Sequence, residues 1–253
     1  MTEFVDLVTT AGGGVTAAVP AGDGADLARM ERVLDAAAEL LVRQGYRRVT
    51  VEDVARRAGV GKGTVYLHVR SKDALFLTVL LRSQRRLFAE LADRMLAEPV
   101  VALPWGMSRV LYERLRADEV ARVLYLGDTE VLGRLAHEAA GTLGELGRRR
   151  DAVVREHFRL LRAARLVDDD IAADEQIHAW GAVTWGYFLA EGTGSAFAPA
   201  GPARTAALIE HGLARQLAGP APASRAADVA GEVAALYRPL VAHIDDEWRR
   251  RVR

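Results

Sequence analysis

No cysteine occurs anywhere in the 253 residues. Disulfides and thiolate zinc sites are therefore excluded, and a reducing cytoplasm is the compartment such a chain suits. Lysine is almost as scarce, standing only at Lys62 and Lys72 and leaving arginine to carry nearly all the positive charge. No apolar run approaches the ~20 residues that a membrane span needs. The N-terminal stretch holds Asp6 and no early basic cluster, so it does not read as a signal peptide. No segment of alternating β-branched residues is convincing, no repeat is visible, and an all-α chain is expected.

Net charge is absent too: 34 basic residues balance 34 acidic ones. The distribution is uneven, however. From Arg43 to Arg86 there are eleven Lys/Arg (43, 47, 48, 56, 57, 62, 70, 72, 82, 85, 86) against three acids (52, 53, 73), a local balance of +8 and hence −8 elsewhere. A compact basic region joined to an acidic remainder fits a two-part protein whose smaller part meets phosphate. A solvated charged face would give the same count, so charge alone does not decide.

Residues 1–25 show no apolar period and carry Gly12, Gly13, Gly14, Pro20, Gly22 and Gly24, which reads as a mobile tail. From Leu27 helical spacing takes over. Met30, Val33, Leu34, Ala37, Leu40 and Leu41 form one stripe, and Gly45 stops it. Thr50 with Asp53 is the S/T-x-x-D/E signature of a helix start, and Gly59 ends that helix after two turns. A second short helix runs from about Lys62 to Val69. Val51, Val54, Ala55, Val60, Val65 and Val69 supply a small core between the two. Two short helices across a tight glycine turn form a helix-turn-helix, over residues 26–72, whose second member suits a DNA major groove. Gly63 permits close backbone approach there. Lys62, Thr64, Tyr66, Leu67 and His68 offer a cation, a hydroxyl, a phenol, an apolar surface and an imidazole, and Ser71 can cap the next helix beside Lys72.

The run from Ala58 to Phe76, with its Gly59-Val60 turn, Gly63-Thr64-Val65-Tyr66 and Ser71-Lys72-Asp73-Ala74-Leu75, resembles the signature of the TetR family of one-component bacterial repressors. The likeness covers about 70 residues. It implies phosphate contacts at Thr50, Thr64, Tyr66 and Lys72, and base contacts at Lys62, Gly63, Leu67 and His68. Many members have an aromatic pair after the tyrosine, where this chain has Leu67, His68 and Val69. The likeness further implies a homodimer on a palindromic double-stranded DNA operator, released by a small-molecule ligand bound in the larger helical part, residues 73–253. A ligand-independent architectural DNA-binding or interaction protein is the alternative, and an all-α enzyme a distant third.

In the larger part, helices are expected at about 72–97, 104–117, 119–126, 129–140, 142–166, 170–191, 203–218 and 225–250. Aromatic and sulfur side chains of the central helices, Trp105, Met107, Tyr112, Tyr125, Phe158 and Trp185, are candidates to line a ligand cavity, with Arg122 and His137 as polar groups. Ile177, Trp180, Gly181, Thr184 and Phe188 fall on one helical stripe and Leu208, Ile209, Gly212, Leu213 and Gln216 on another. Paired stripes of this kind suit a four-helix subunit interface, and purely intramolecular packing is the competing reading. Pro239 is expected to kink the last helix.

Catalytic and metal motifs are missing. Gly59-Val-Gly-Lys-Gly-Thr64 lacks the P-loop pattern, with Arg56 and Gly63 where glycine and Ser/Thr are required. The six histidines show no H-x-x-x-H or H-E-x-x-H spacing, and no G-x-S-x-G elbow occurs. No cofactor, metal or enzymatic activity is expected.

Overall fold

The computed structural model describes residues 21–123, 142–192 and 201–252. Within them run ten α-helices: α1 Ala21–Gln44, α2 Val51–Ala58, α3 Lys62–His68, α4 Lys72–Ala97, α5 Pro104–Ala117, α6 Glu119–Arg122, α7 Thr142–Ala163, α8 Ala173–Gly192, α9 Pro202–Leu217 and α10 Ala230–Val252. Short 3₁₀ turns at Pro99–Ala102 and Ala223–Asp228 precede α5 and α10. The expected helix at 129–140 lies outside the described residues.

Two apolar cores form, and α4 is the wall between them. Leu75, Phe76, Val79 and Leu80 face the first core with Met30, Leu34 and Leu41 of α1, Val54 of α2 and Val65 of α3. Leu77, Leu81, Leu91 and Met95 face the second, with residues of α5 and α7 to α10. The head and body therefore share a helix, because 26 residues of α4 carry two apolar faces at once. A boundary at residue 72 marks the start of α4 and not a gap in the packing.

Helix α1 begins at Ala21, nine residues ahead of the stripe that starts at Met30, despite Gly22 and Gly24; the rest of the expected tail, 1–20, lies outside the described residues. At the other end, Gly45 takes a positive φ of 76°, the left-handed stop its glycine permits. The last helix begins at Ala230 after a break at Val229, where the periodicity alone suggested a continuous run from about 225. It continues through Pro239, which leaves the Ala235 carbonyl without its helical donor. Val233, Tyr237, Leu240 and Ile244 bury its inner face along α4 and α7, and Trp248 near its end packs on the head core.

Close backbone contacts fix two further joints. A Cβ at Gly106 would lie 2.2 Å from the Val100 carbonyl oxygen, so only glycine lets α5 start against the Pro99–Ala102 turn. Arg109, mostly buried, binds Glu98 at 2.7 Å, Glu113 at 3.4 Å and Glu210 at 3.2 Å, tying that turn and α9 to α5.

Candidate nucleic-acid interface

The geometry of the head starts at Thr50. Its hydroxyl accepts from the Asp53 amide at 3.1 Å, while the Asp53 carboxylate accepts from the Thr50 amide at 3.1 Å and from its hydroxyl at 2.6 Å. This reciprocal box starts α2 and is worth about 1 kcal/mol. The Thr50 hydroxyl and amide hold the Asp53 carboxyl below its ordinary range. Gly59, at φ 68°, closes α2, and its amide reaches back to Ala55 and Arg56. The chain then turns into α3, pinned from below by Val65 and Val69, both buried.

With those two valines inward, the opposite side of α3 is left in solvent. Leu67 is 79% exposed and Tyr66 45%, unusual values for large apolar side chains. Gly63 is exposed with no protein atom within 4 Å of where a Cβ would sit. Lys62 is exposed, pairs with Glu52 of α2, and lies with Nζ 5.9 Å from the centre of the Tyr66 ring. Glu52 raises the Lys62 pKa above its ordinary value. Thr64 and His68 are half-buried, and Nδ1 of His68 is buried without a hydrogen-bond partner.

Beside α3, the Ser71 hydroxyl accepts from the Ala74 amide at 2.9 Å and caps α4. Lys72 Nζ sits 4.3 Å from the centre of the Tyr46 ring and donates to the Arg47 carbonyl at 3.4 Å. Tyr46 in turn meets Phe76 edge-on at 5.2 Å. The sequence singled out Lys72 but not Tyr46 as its platform, since the contact joins residues 26 apart.

Space redistributes the +8 count. Arg43 and Arg57 bind Glu39, at 3.1 and 2.7 Å. Arg82 binds Glu31 at 2.9 Å and Asp35 at 2.8 Å, and Arg85 binds Asp245. These partners stand outside the Arg43–Arg86 window, so counting along the chain overstated the free charge. Arg47, Arg48 and Arg70 are exposed in the loops that flank α2 and α3.

In the body, four of the ligand candidates come together. Trp105, Met107, Tyr112 and Phe158 are buried in one core, with Tyr112 stacked on Phe188 at 5.8 Å and the Phe158 ring tilted against Trp180 at 5.7 Å. Trp185 is 46% exposed, and Arg122 is exposed on α6, near Glu119. Trp185 touches that core only at its rim, edge-on to Phe188 at 5.6 Å. Tyr125 and His137 lie outside the described residues. A cleft of about 690 Å³ opens elsewhere, between α1, α4, α5 and α6, lined by Val42, Leu87, Leu115, Arg86 and Arg114 among others.

The two stripes assigned to a subunit interface also divide. Trp180 donates to Ser108 Oγ at 2.8 Å and Thr184 meets the same hydroxyl at 2.9 Å, while Phe188, Ile209 and Leu213 are buried in the core of the same chain. Ile177 and Leu208 are half-buried, as is Gly181, and Gly212 and Gln216 are exposed. Helix period explains the split: the large residues face α5, and the opposite edge of α8 and α9 presents His178, Ala182, Trp185, Ala207, His211 and Arg215.

Among the described residues, the one cluster of carboxylates is Asp168, Asp169 and Asp170, in the loop after α7. Asp168 Oδ1 already accepts from the amides of Asp169 at 2.6 Å and Asp170 at 3.2 Å, which gives it a turn-forming role. No described helix is long and apolar enough to cross a membrane.

A capped helix, a glycine turn and a solvent-facing second helix, set on a helical body, define a helix-turn-helix regulator architecture. Residues 33–79 match the family model described as bacterial regulatory proteins, tetR family, so the head of this chain carries that family's N-terminal domain. It is 37% identical over 78 residues to the HTH-type transcriptional regulator YwcC of Bacillus subtilis, covering 30% of this chain and 35% of that protein. It is 28% identical over 162 residues to the HTH-type transcriptional regulator TcmR of Streptomyces glaucescens, covering 61% and 70%. The match thus spans about a third of the length of YwcC and more of TcmR. The fold is shared with NalD, the secondary repressor of the MexAB-OprM multidrug efflux pump in Pseudomonas aeruginosa (TM-score 0.54, 21% identity, 77% of this chain and 98% of that one). It is shared also with the fatty acid degradation regulator FadR of Bacillus halodurans (TM-score 0.52, 16% identity, 72% and 91%).

Proposed function

We propose that this chain is a cytoplasmic transcriptional regulator that lays α3 in the major groove of double-stranded DNA. The observation that carries the reading is the outer side of α3: exposed Leu67 and Tyr66, an open Gly63 and a lysine on one short helix held rigidly from beneath. Leu67 suits a thymine methyl, Lys62 a guanine edge, and Gly63 a backbone approach that any side chain would block. His68, half-buried, reaches less far. Tyr66, Thr64, Thr50 and Lys72 surround α3 and suit phosphates.

Two copies joined through the outward edge of α8 and α9 would place two heads one helical turn apart, ~34 Å, on an inverted repeat. Repression follows if the operator overlaps a promoter. A small apolar molecule that binds the body better in one head spacing than another would release the DNA. The close packing of Trp105, Met107, Tyr112 and Phe158 favours the second reading, an architectural DNA-binding protein without a ligand.

Selection of bound fragments from the native genome tests the proposal. Enrichment of an inverted repeat is the expected result, and recovery of fragments without a common sequence would leave only the architectural reading. Failure to retain any DNA would contradict both.

A further inference from the structure

We infer that Glu52 sets the specificity of the α3 interface by holding Lys62 away from arbitrary phosphates, an inference that rests on the DNA-binding reading above. Glu52 and Lys62 stand ten residues apart across the glycine turn, and their side chains are 61% and 51% exposed. The pair is therefore of little use to the fold, since an ion pair this exposed is screened by water and salt. Its neighbour Asp53 has a structural task in the Thr50 box and in the pair with Arg56. Glu52 takes no part in that box, yet it puts a carboxylate on the side of the molecule that would meet a polyanion.

Lys62 is confined on its other flank by the Tyr66 ring. To neutralise a phosphate it must leave Glu52, and the released carboxylate then faces the duplex unpaired. On arbitrary sequence the gain of one phosphate contact is offset by that repulsion. At a base edge with two acceptors, such as guanine O6 and N7, Lys62 gains a directed contact that outweighs the lost pair. Glu52 thus penalises wrong sequences more than the right one, the repulsive half of a specificity device.

The test compares wild type, Glu52→Gln, Lys62→Met and the double variant by fluorescence anisotropy, on a random-sequence duplex and on the selected operator, over a range of KCl. Glu52→Gln should tighten the random duplex by about five- to tenfold at low salt and the operator by less. The salt slope on the random duplex should steepen by about one, the release expected for one more neutralised phosphate. In the Lys62→Met background the slope should not steepen. Equal slopes and affinities for wild type and Glu52→Gln would overturn the inference, as would an identical shift in both backgrounds, which would make Glu52 a simple surface charge. Wild type that binds neither duplex would overturn the DNA-binding reading itself, and this inference with it. Because Glu52 is exposed, melting temperatures of all four proteins should lie close together, which separates binding from folding.

Discussion

Tyr237 and His157 meet inside the body core, hydroxyl oxygen to Nδ1, at 2.9 Å. The other ring nitrogen, Nε2, lies 2.6 Å from the Ala102 carbonyl, which can only accept. Burial keeps the imidazole neutral, so with its proton on Nε2 facing Ala102, Nδ1 is left to accept from the Tyr237 hydroxyl, which also lies 3.4 Å from Met107 Sδ. This chain of bonds ties α10 to α7 and to the turn before α5.

Burial pushes the His157 pKa down from 6.5 to about 4, and the bond to Ala102 only partly opposes it. Between those two values the unfolded chain binds more protons, so folding stability should be full above pH 6.5 and fall as pH drops toward 4. The loss for this one group is about 3 kcal/mol. Urea unfolding at pH 7 and pH 4.5 measures it. His157→Gln should be less stable at pH 7 but show a shallower decline, and an equally steep decline would assign the acid sensitivity elsewhere.

Gly106→Ala places a methyl group at 2.2 Å from the Val100 carbonyl oxygen, a backbone atom that cannot swing aside. A loss of about 1–3 kcal/mol or more is expected from such overpacking, read as a lower midpoint in urea. Gly147→Ala, on an open position of α7, should instead leave stability unchanged or slightly raise it.

Trp248 reaches from the end of α10 to the head core, and Asp245 one turn earlier binds Arg85 of α4. Trp248→Ala should cost about 1–2 kcal/mol through lost apolar burial. Since α4 belongs to both cores, head and body should still unfold in one transition. Separate transitions by circular dichroism and tyrosine fluorescence would refute the shared-wall description.

What could be read from the residues, and what could not, follows from how far apart the partners lie. The Thr50–Asp53 box, the Gly45 and Gly59 stops and the α4 start at Ser71 are local devices, each completed within a few residues, and the structure contains all of them. Helical stripes located α8 and α9 but not their orientation. Trp180, Thr184, Ile209 and Leu213 are as apolar and periodic for an intramolecular core as for a subunit interface, so period alone could not tell which side turned outward. Long-range pairs gave no signal at all: Arg85 and Asp245 are 160 residues apart. The buried bonds of His157 were invisible for the same reason.

Tyr66 and Lys72 flank the proposed groove-facing surface, so Tyr66→Ala and Lys72→Ala should weaken binding to all sequences alike. For Lys72→Ala the salt slope should become shallower by about one. Anisotropy titrations on operator and random duplex check both. A loss confined to the operator would reassign the residue to base reading.

Gly63 separates folding from recognition most cleanly. With no protein atom near its missing Cβ, Gly63→Leu has room on the free molecule and removes a glycine from a helix, so its melting temperature should stay level or rise. If α3 lies in the major groove, the added side chain must meet the DNA, and affinity for the selected operator should fall about tenfold or more, the scale of a lost base contact. Unchanged operator affinity in a fully folded Gly63→Leu protein would contradict the docking of α3 proposed for this chain.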